Sequence, residues 1–147
     1  MADLRDTTNG RIRQLRKQHG WTQQDLADVL NRFGAHTDRT AVARVETGKR
    51  ELPLKEAFQY ALALNVAPVH LLVPTDSDEP IHLAPNLEAS PYDVRAWIRG
   101  FRPLFPQDPR VYFSTVPLTE TKAAGDALAA WEQTSPIQVT TEPEDEN

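Results

Sequence analysis

The first half of the chain, up to about residue 74, has apolar residues at helical spacing in five segments separated by turn residues. Apolar side chains recur there every three or four positions, which is the period of an α-helix with one buried face. The first segment, residues 9–19, has Ile12 and Leu15 on its inner face and is followed by Gly20. Because glycine commonly follows the last turn of a helix, we predict a first helix over 9–19.

Capping residues define the second and third predicted helices. Thr22 precedes the second, and Asp25 follows three residues later in a pattern that resembles a capping box. Asp38 precedes the third, which extends to Thr47 and stops at Gly48. Residues 34–37 form the turn between them. The side chains predicted to face the core are Leu26, Ala27, Leu30, Phe33, Val42 and Val45.

The fourth predicted helix begins around Pro53, because the missing N–H of proline costs nothing at a first helical position. A short fifth helix over residues 68–72 closes the bundle before Pro74. The residues of the fourth helix at core spacing are Leu54, Ala57, Phe58, Ala61 and Leu64. We therefore predict that residues 1–74 form an all-α domain, a bundle of five helices.

The second half, after an acidic linker over residues 75–80, predicts a small and mostly α region over 81–134. Ser90 and Pro91 cap a predicted helix. Its apolar face contains Val94, Trp97, Ile98 and Phe101. Nine of the twelve prolines lie in residues 75–147, so the helices of this half are expected to be short.

Three further predictions concern the end of the chain. Residues 111–116 have the β-branched and aromatic composition of one short strand. Residues 119–133 predict a last helix, with alanine, leucine and tryptophan side chains on one side. Residues 135–147 predict a disordered acidic tail.

Charge is distributed unevenly between the two halves. The chain has a net charge of −5, but residues 1–74 have eleven basic and eight acidic side chains, while residues 75–147 have five and thirteen. The first half is therefore at +3 and the second at −8. There is no cysteine, no apolar leader and no segment of membrane-spanning length. We expect a cytoplasmic protein with no disulfide and no membrane partner.

Four motifs together resemble a known family: RIRQLR at 11–16, GWTQQDLA at 20–27, VARVETGKR at 42–50 and ALALNVAP at 61–68. Their order and spacing over residues 11–73 are similar to those of the lambda-repressor/Cro family of helix-turn-helix transcriptional regulators, also called the XRE family. One departure is the connection over residues 31–37, which is longer than the turn of three or four residues typical of small phage repressors. The resemblance implies a domain that binds double-stranded DNA.

The third helix is the predicted reading helix. If Val42 and Val45 face the core, its outward face presents Arg39, Thr40 and Arg44. A guanidinium can donate to both O6 and N7 of guanine, and a threonine can bond a base or contact a thymine methyl. The alternative is that these are ordinary solvated residues of a surface helix. The motif context favours base contacts.

Other roles come from the resemblance. It implies that Gln23 holds the DNA backbone, and that Arg16 and Glu46 form a buried ion pair that joins the third helix to the first. Lys49 and Arg50, directly after the third helix, are cations that could contact phosphate.

Catalytic chemistry has little support in the sequence. The four histidines are scattered without a metal-ligand spacing, and the six glycines do not form a phosphate-binding loop. We predict that the protein is not an enzyme and uses no metal or cofactor.

The expected function is that of a sequence-specific transcriptional regulator, a phage or bacterial repressor located on the nucleoid. The aromatic residues of 81–134 predict self-association into a homodimer, because so small a unit would be marginal alone. A ligand or protein sensor is the competing reading of this region. The alternative for the whole chain is an antitoxin-like module, whose C-terminal half binds a protein partner while the DNA-binding domain regulates its own operon.

Overall fold

The computed structural model describes residues 2–104, 109–115, 126, 129–130 and 133. Within them it contains seven helices and a three-stranded sheet. The elements in chain order are β1 (Ala2–Asp3), α1 (Leu4–Gln18), α2 (Gln23–Arg32), α3 (Arg39–Glu46), α4 (Leu54–Ala63), α5 (Pro68–Leu72), β2 (Ile81–Ala84), β3 (Leu87–Ala89), α6 (Pro91–Ile98) and α7 (Pro109–Phe113). The chain divides into two compact units, residues 1–95 and 96–147. The predicted fold class, a five-helix bundle followed by a small and mostly α region, is confirmed.

The first helix begins five residues earlier than predicted, at Leu4. Residues 4–9 include threonine and asparagine, which are poor helix formers, so propensity alone favours a later start. Tertiary contacts outweigh that preference. Thr8 and Asn9 are buried, and the Arg5 guanidinium donates to the carbonyl oxygen of Gly48 at 2.8 Å.

The predicted caps of α2 and α3 are confirmed. Thr22 Oγ1 accepts from the Asp25 N–H at 3.1 Å, and the Asp25 carboxylate accepts from the Thr22 N–H at 2.7 Å, which is a complete capping box. Asp38 accepts from the Ala41 N–H at 2.8 Å. Gly48, directly after the C-cap of α3, has φ of +71°, a conformation that glycine adopts without steric cost.

The core of the first unit lies between α1, α2, α3, α4 and α5. Its buried residues are Ile12, Leu15, Leu26, Ala27, Leu30, Val42, Val45, Tyr60, Ala61, Ala63, Leu64 and Leu71. Three predicted core residues are instead at the surface: Phe33, Leu54 and Phe58 are 52%, 73% and 51% exposed. Periodicity along α4 allowed two apolar faces, and packing selects the one that contains Ala57 and Tyr60. Pro53 is the N-cap of α4 and not its first helical residue, as its ψ of 151° shows.

The sheet was not predicted. β1 pairs in parallel with β2 through Ala2 and Ile81, and β2 pairs antiparallel with β3 through His82 and Glu88. These strands are two to four residues long, too short to give a periodic signal, and β1 finds its partner almost eighty residues along the chain. The sheet therefore joins the start of the chain to the segment that follows residues 75–80.

In the following segment, the helix predicted after Ser90 is confirmed as α6, and the Asp93 N–H donates to Ser90 Oγ at 3.1 Å. Of its predicted apolar face only Val94 is fully buried, while Trp97, Ile98 and Phe101 remain partly exposed. The strand predicted over 111–116 is wrong, because residues 109–113 form α7, a helix that begins with proline. The predicted helix over 119–133 lies mostly, and the tail over 135–147 wholly, outside the described residues.

Candidate nucleic-acid interface

The connection between α2 and α3 is long but held by specific hydrogen bonds. The Asn31 side chain donates to the Thr37 carbonyl at 2.9 Å and accepts from the Thr37 N–H at 2.7 Å. Gly34 and His36 both have positive φ, which turns the chain back between these two points. The longer segment noted in the sequence therefore places α3 in one defined position after α2.

The outward face of α3 presents the predicted reading residues together. Val42 and Val45 are fully buried, whereas Arg39, Thr40 and Arg44 are exposed. Neither guanidinium group has a hydrogen bond or an ion pair within the part of the chain that the structure describes. Both guanidinium groups are therefore available to a ligand in front of the helix.

The opposite side of α3 is fixed by a buried ion pair. Arg16 Nε lies 2.5 Å from Glu46 Oε1, and Arg16 Nη2 lies 3.1 Å from Glu46 Oε2. The two side chains are only 10% and 1% exposed, and the hydrogen bonds that Arg16 donates to Glu46 raise the pKa of Arg16. Arg16 Nη1 also donates to the Trp21 carbonyl at 2.6 Å. The structure thus contains the ion pair that the resemblance implied, and it ties the last turn of α3 to α1.

Gln23, the first residue of α2, belongs to the same network. Its Nε2 donates to Glu46 Oε2 at 3.1 Å, so Glu46 accepts three hydrogen bonds. An amide nitrogen carries two hydrogens, which leaves one N–H of Gln23 for another acceptor. The first backbone N–H groups of a helix also have no partner within the helix. Gln23 therefore presents donors beside the N-terminus of α2.

The two cations after α3 differ in their surroundings. Lys49 is exposed, and its backbone N–H donates to the Arg44 carbonyl at 2.9 Å, which completes the C-terminal turn of α3. Both terminal nitrogens of Arg50 instead donate to the Glu56 carboxylate, at 2.5 and 2.8 Å. This pair joins the loop after α3 to α4 and holds the pKa of Glu56 below its usual value.

Sequence reasoning missed one contact of α3, because it placed Arg5 and residues 4–8 before the first helix. Arg5 donates to the carbonyl of Gly48 at the C-terminal end of α3, and it lies 3.8 Å from Glu51. A Cβ atom added to Gly48 would lie 3.4 Å from Asn9 Nδ2. The first two turns of α1 therefore hold the end of α3 from one side.

Residues 12–71 match the family model described as helix-turn-helix. No curated protein and no solved structure matches the chain. The match begins within α1 and runs to α5, so it includes α2, α3 and their connection. The fold and this match define a DNA-binding helix-turn-helix domain. Residues 12–71 are therefore similar to the DNA-binding domain of the lambda-repressor/Cro-type regulators of the XRE family.

The described ranges also lack two other kinds of feature. No helix among them is long and apolar enough to cross a membrane. They also contain no group of three or more histidine, cysteine, aspartate or glutamate residues that could hold a metal ion.

Proposed function

We propose that the protein is a sequence-specific transcriptional repressor that occupies an operator on the chromosome and reads it with α3. The observation that carries this proposal is the exposed face of α3, where Arg39, Thr40 and Arg44 lie together in front of a rigid support. That support is the pair of buried valines and the ion pair of Glu46 with Arg16.

Base readout follows from the geometry of the major groove, which admits one α-helix and presents a distinct donor and acceptor pattern for each base pair. Arg44 and Arg39 donate to O6 and N7 of guanine in this proposal, and Thr40 contacts a neighbouring base or a thymine methyl. A good bidentate pair discriminates against the wrong base by about 1–3 kcal/mol.

Backbone contacts come from Gln23 and Lys49. The remaining N–H of Gln23 and the positive end of the α2 dipole both favour a phosphate at this position. Lys49 adds a cation beside the end of α3. We leave Arg50 out of the phosphate contacts, because its terminal nitrogens already bind Glu56.

Repression is the simpler proposal because a bound protein excludes polymerase by occupancy alone, whereas activation needs an additional contact with polymerase. The charge distribution supports the assignment of DNA binding to the first half of the chain. Residues 75–147, at −8, are repelled by phosphate and so stay away from the duplex, which leaves binding to residues 1–74.

The test is selection of bound duplexes from a random library with the wild-type chain, Arg44→Ala and Lys49→Ala. We expect a guanine-containing half-site for the wild type. Arg44→Ala should lose roughly 5- to 150-fold of the preference at one position, which corresponds to about 1–3 kcal/mol. Lys49→Ala is the matched control, and it should weaken all duplexes equally and lower the salt slope by about 0.9.

Two results would count against the proposal at different levels. Wild-type protein that binds all duplexes alike at moderate salt would refute sequence-specific regulation. An unchanged preference in Arg44→Ala would refute only the choice of reading residue.

A further inference from the structure

Helix α4 has an apolar stripe that the core does not use. Leu54, Phe58 and Leu62 are 73%, 51% and 61% exposed, and they follow one another at intervals of four residues. Residues four apart lie on the same face of a helix, so the three side chains form one continuous surface. The buried face of α4, which contains Ala57 and Tyr60, is a different one.

Single exposed apolar residues are normal on protein surfaces, whereas a contiguous apolar patch of a few hundred Å² is often a functional surface. An aromatic side chain has a surface of roughly 200 Å², and leucine is of the same order. The three exposed fractions therefore leave about 400 Å² of apolar surface on each copy of the chain. That is about half of the roughly 800 Å² that each partner buries in a stable complex.

We propose that this stripe is the surface through which two copies of the chain meet at an operator. The pattern is symmetric, since Phe58 has a leucine four residues before it and another four residues after it. A two-fold axis through Phe58 therefore sets phenylalanine against phenylalanine and leucine against leucine, whether the two helices run parallel or antiparallel. Such a surface is complementary to itself, as a two-fold interface requires.

The size of the stripe decides when the dimer forms. An interface of half the standard area is weak in free solution, so copies associate mainly where adjacent half-sites on DNA hold them at high effective concentration. This inference rests on the proposed function, and it differs from the expectation that residues 81–134 make the dimer. It places a dimer contact inside the helix-turn-helix domain itself.

The chain contains no cysteine, which allows a clean cross-linking test on the full-length protein. Phe58→Cys and Phe33→Cys are a matched pair, because the two phenylalanines are equally exposed and only Phe58 belongs to the stripe. Each variant is treated with a short bismaleimide, alone at high concentration and with a selected duplex that has two half-sites. We expect covalent dimer from Phe58→Cys in both conditions, with more on DNA, and none above background from Phe33→Cys.

A second measurement uses charge in place of a thiol. Phe58→Glu and Leu54→Glu should lose roughly 5- to 150-fold of affinity for paired half-sites, the range of ordinary coupling free energies, while a single half-site is bound as before. Both side chains are at least half exposed, so the urea concentration at the midpoint of unfolding should not fall. The Leu54 variant keeps the test valid if the Phe58 variant fails to fold.

Three results would overturn the inference. The first is equal cross-linking of the two cysteine variants. The second is a Phe58→Cys thiol that a monofunctional maleimide cannot reach, which would mean that another part of the chain covers the stripe. The third is that both glutamate variants bind paired half-sites as tightly as the wild type does. This is also the result expected if the stripe binds a different protein and not a second copy of the chain. Each can occur while single half-sites are still read specifically, so the proposed function would survive.

Discussion

Glu46→Gln is the sharpest test of how α3 is held in place. The substitution keeps the shape of the side chain and removes its charge. Glu46 accepts three hydrogen bonds, two from Arg16 and one from Gln23, and it is almost completely buried. An amide oxygen can replace some of these acceptors, but the new NH₂ group must face a nitrogen donor of Arg16 or Gln23.

The expected cost follows from these contacts. Hydrogen bonds to charged groups each contribute about 1.5–3 kcal/mol, and breaking a buried ion pair by removing one partner costs about 3–5 kcal/mol. The Arg16 side chain is 10% exposed, so water can reach part of the guanidinium and moderate the loss. We expect the free energy of unfolding to fall by about 3 kcal/mol, the lower end of that range.

The measurement is urea unfolding of the full-length chain, followed by far-ultraviolet circular dichroism, with the slope compared between variants. The control is Arg16→Met combined with Glu46→Leu, which replaces both charges by apolar groups and should recover most of the lost stability. Folded Glu46→Gln should prefer the same DNA sequences as the wild type, because Glu46 lies behind the reading face. A loss below about 1 kcal/mol would refute the view that this pair supports α3.

Two further predictions concern the surroundings of α3. The pKa of Glu56 is lowered by its hydrogen bonds from Arg50, so the pair stabilises the fold above the usual glutamate value of 4.5 and the effect is lost as pH falls through the lower folded-state pKa. Urea midpoints between pH 7 and pH 3 should therefore fall less in Glu56→Gln than in the wild type, and because the pair is partly exposed the difference should be at most about 1 kcal/mol; identical pH profiles would contradict the assignment. Gly48→Ala should destabilise the domain by about 1–2 kcal/mol because φ is +71° there, whereas Gly10→Ala, in the middle of α1 with open space around it, should stabilise it by about 0.5–1 kcal/mol. Thermal unfolding of the two alanine variants checks this, and a shift in the same direction for both would contradict it.

Most of the binding domain could be read from local patterns. Thr22 and Asp38 are good N-caps in any context, and glycine after α2 and α3 marks a helix end, so the starts and ends of α2 and α3 follow from neighbouring residues alone. The buried valines of α3 follow from the same reasoning, because a short helix with two apolar positions has only one face to bury. Once that face is assigned, Arg39 and Arg44 must point outward.

The contacts around α3 are different, since they depend on residues far apart in the chain. The start of α1 at Leu4 is stabilised by the contact of Arg5 with Gly48, and the Arg50 guanidinium donates to the Glu56 carboxylate. When only the neighbouring residues in the sequence are considered, the guanidinium groups of Arg5 and Arg50 look equally available to an external ligand.

Periodicity and capping are local, which is why residues 11–73 disclose five helices, their order and the reading face of the third. The phase of α4 required the packed bundle, because Leu54, Phe58 and Leu62 are as apolar and as regularly spaced as the residues that it buries. The pairing of β1 with β2 likewise joins two strands that are too short to show a periodic pattern. They are separated in the sequence by most of the first unit. Choices of this kind depend on which surfaces fit together in space, and no window of neighbouring residues contains that information.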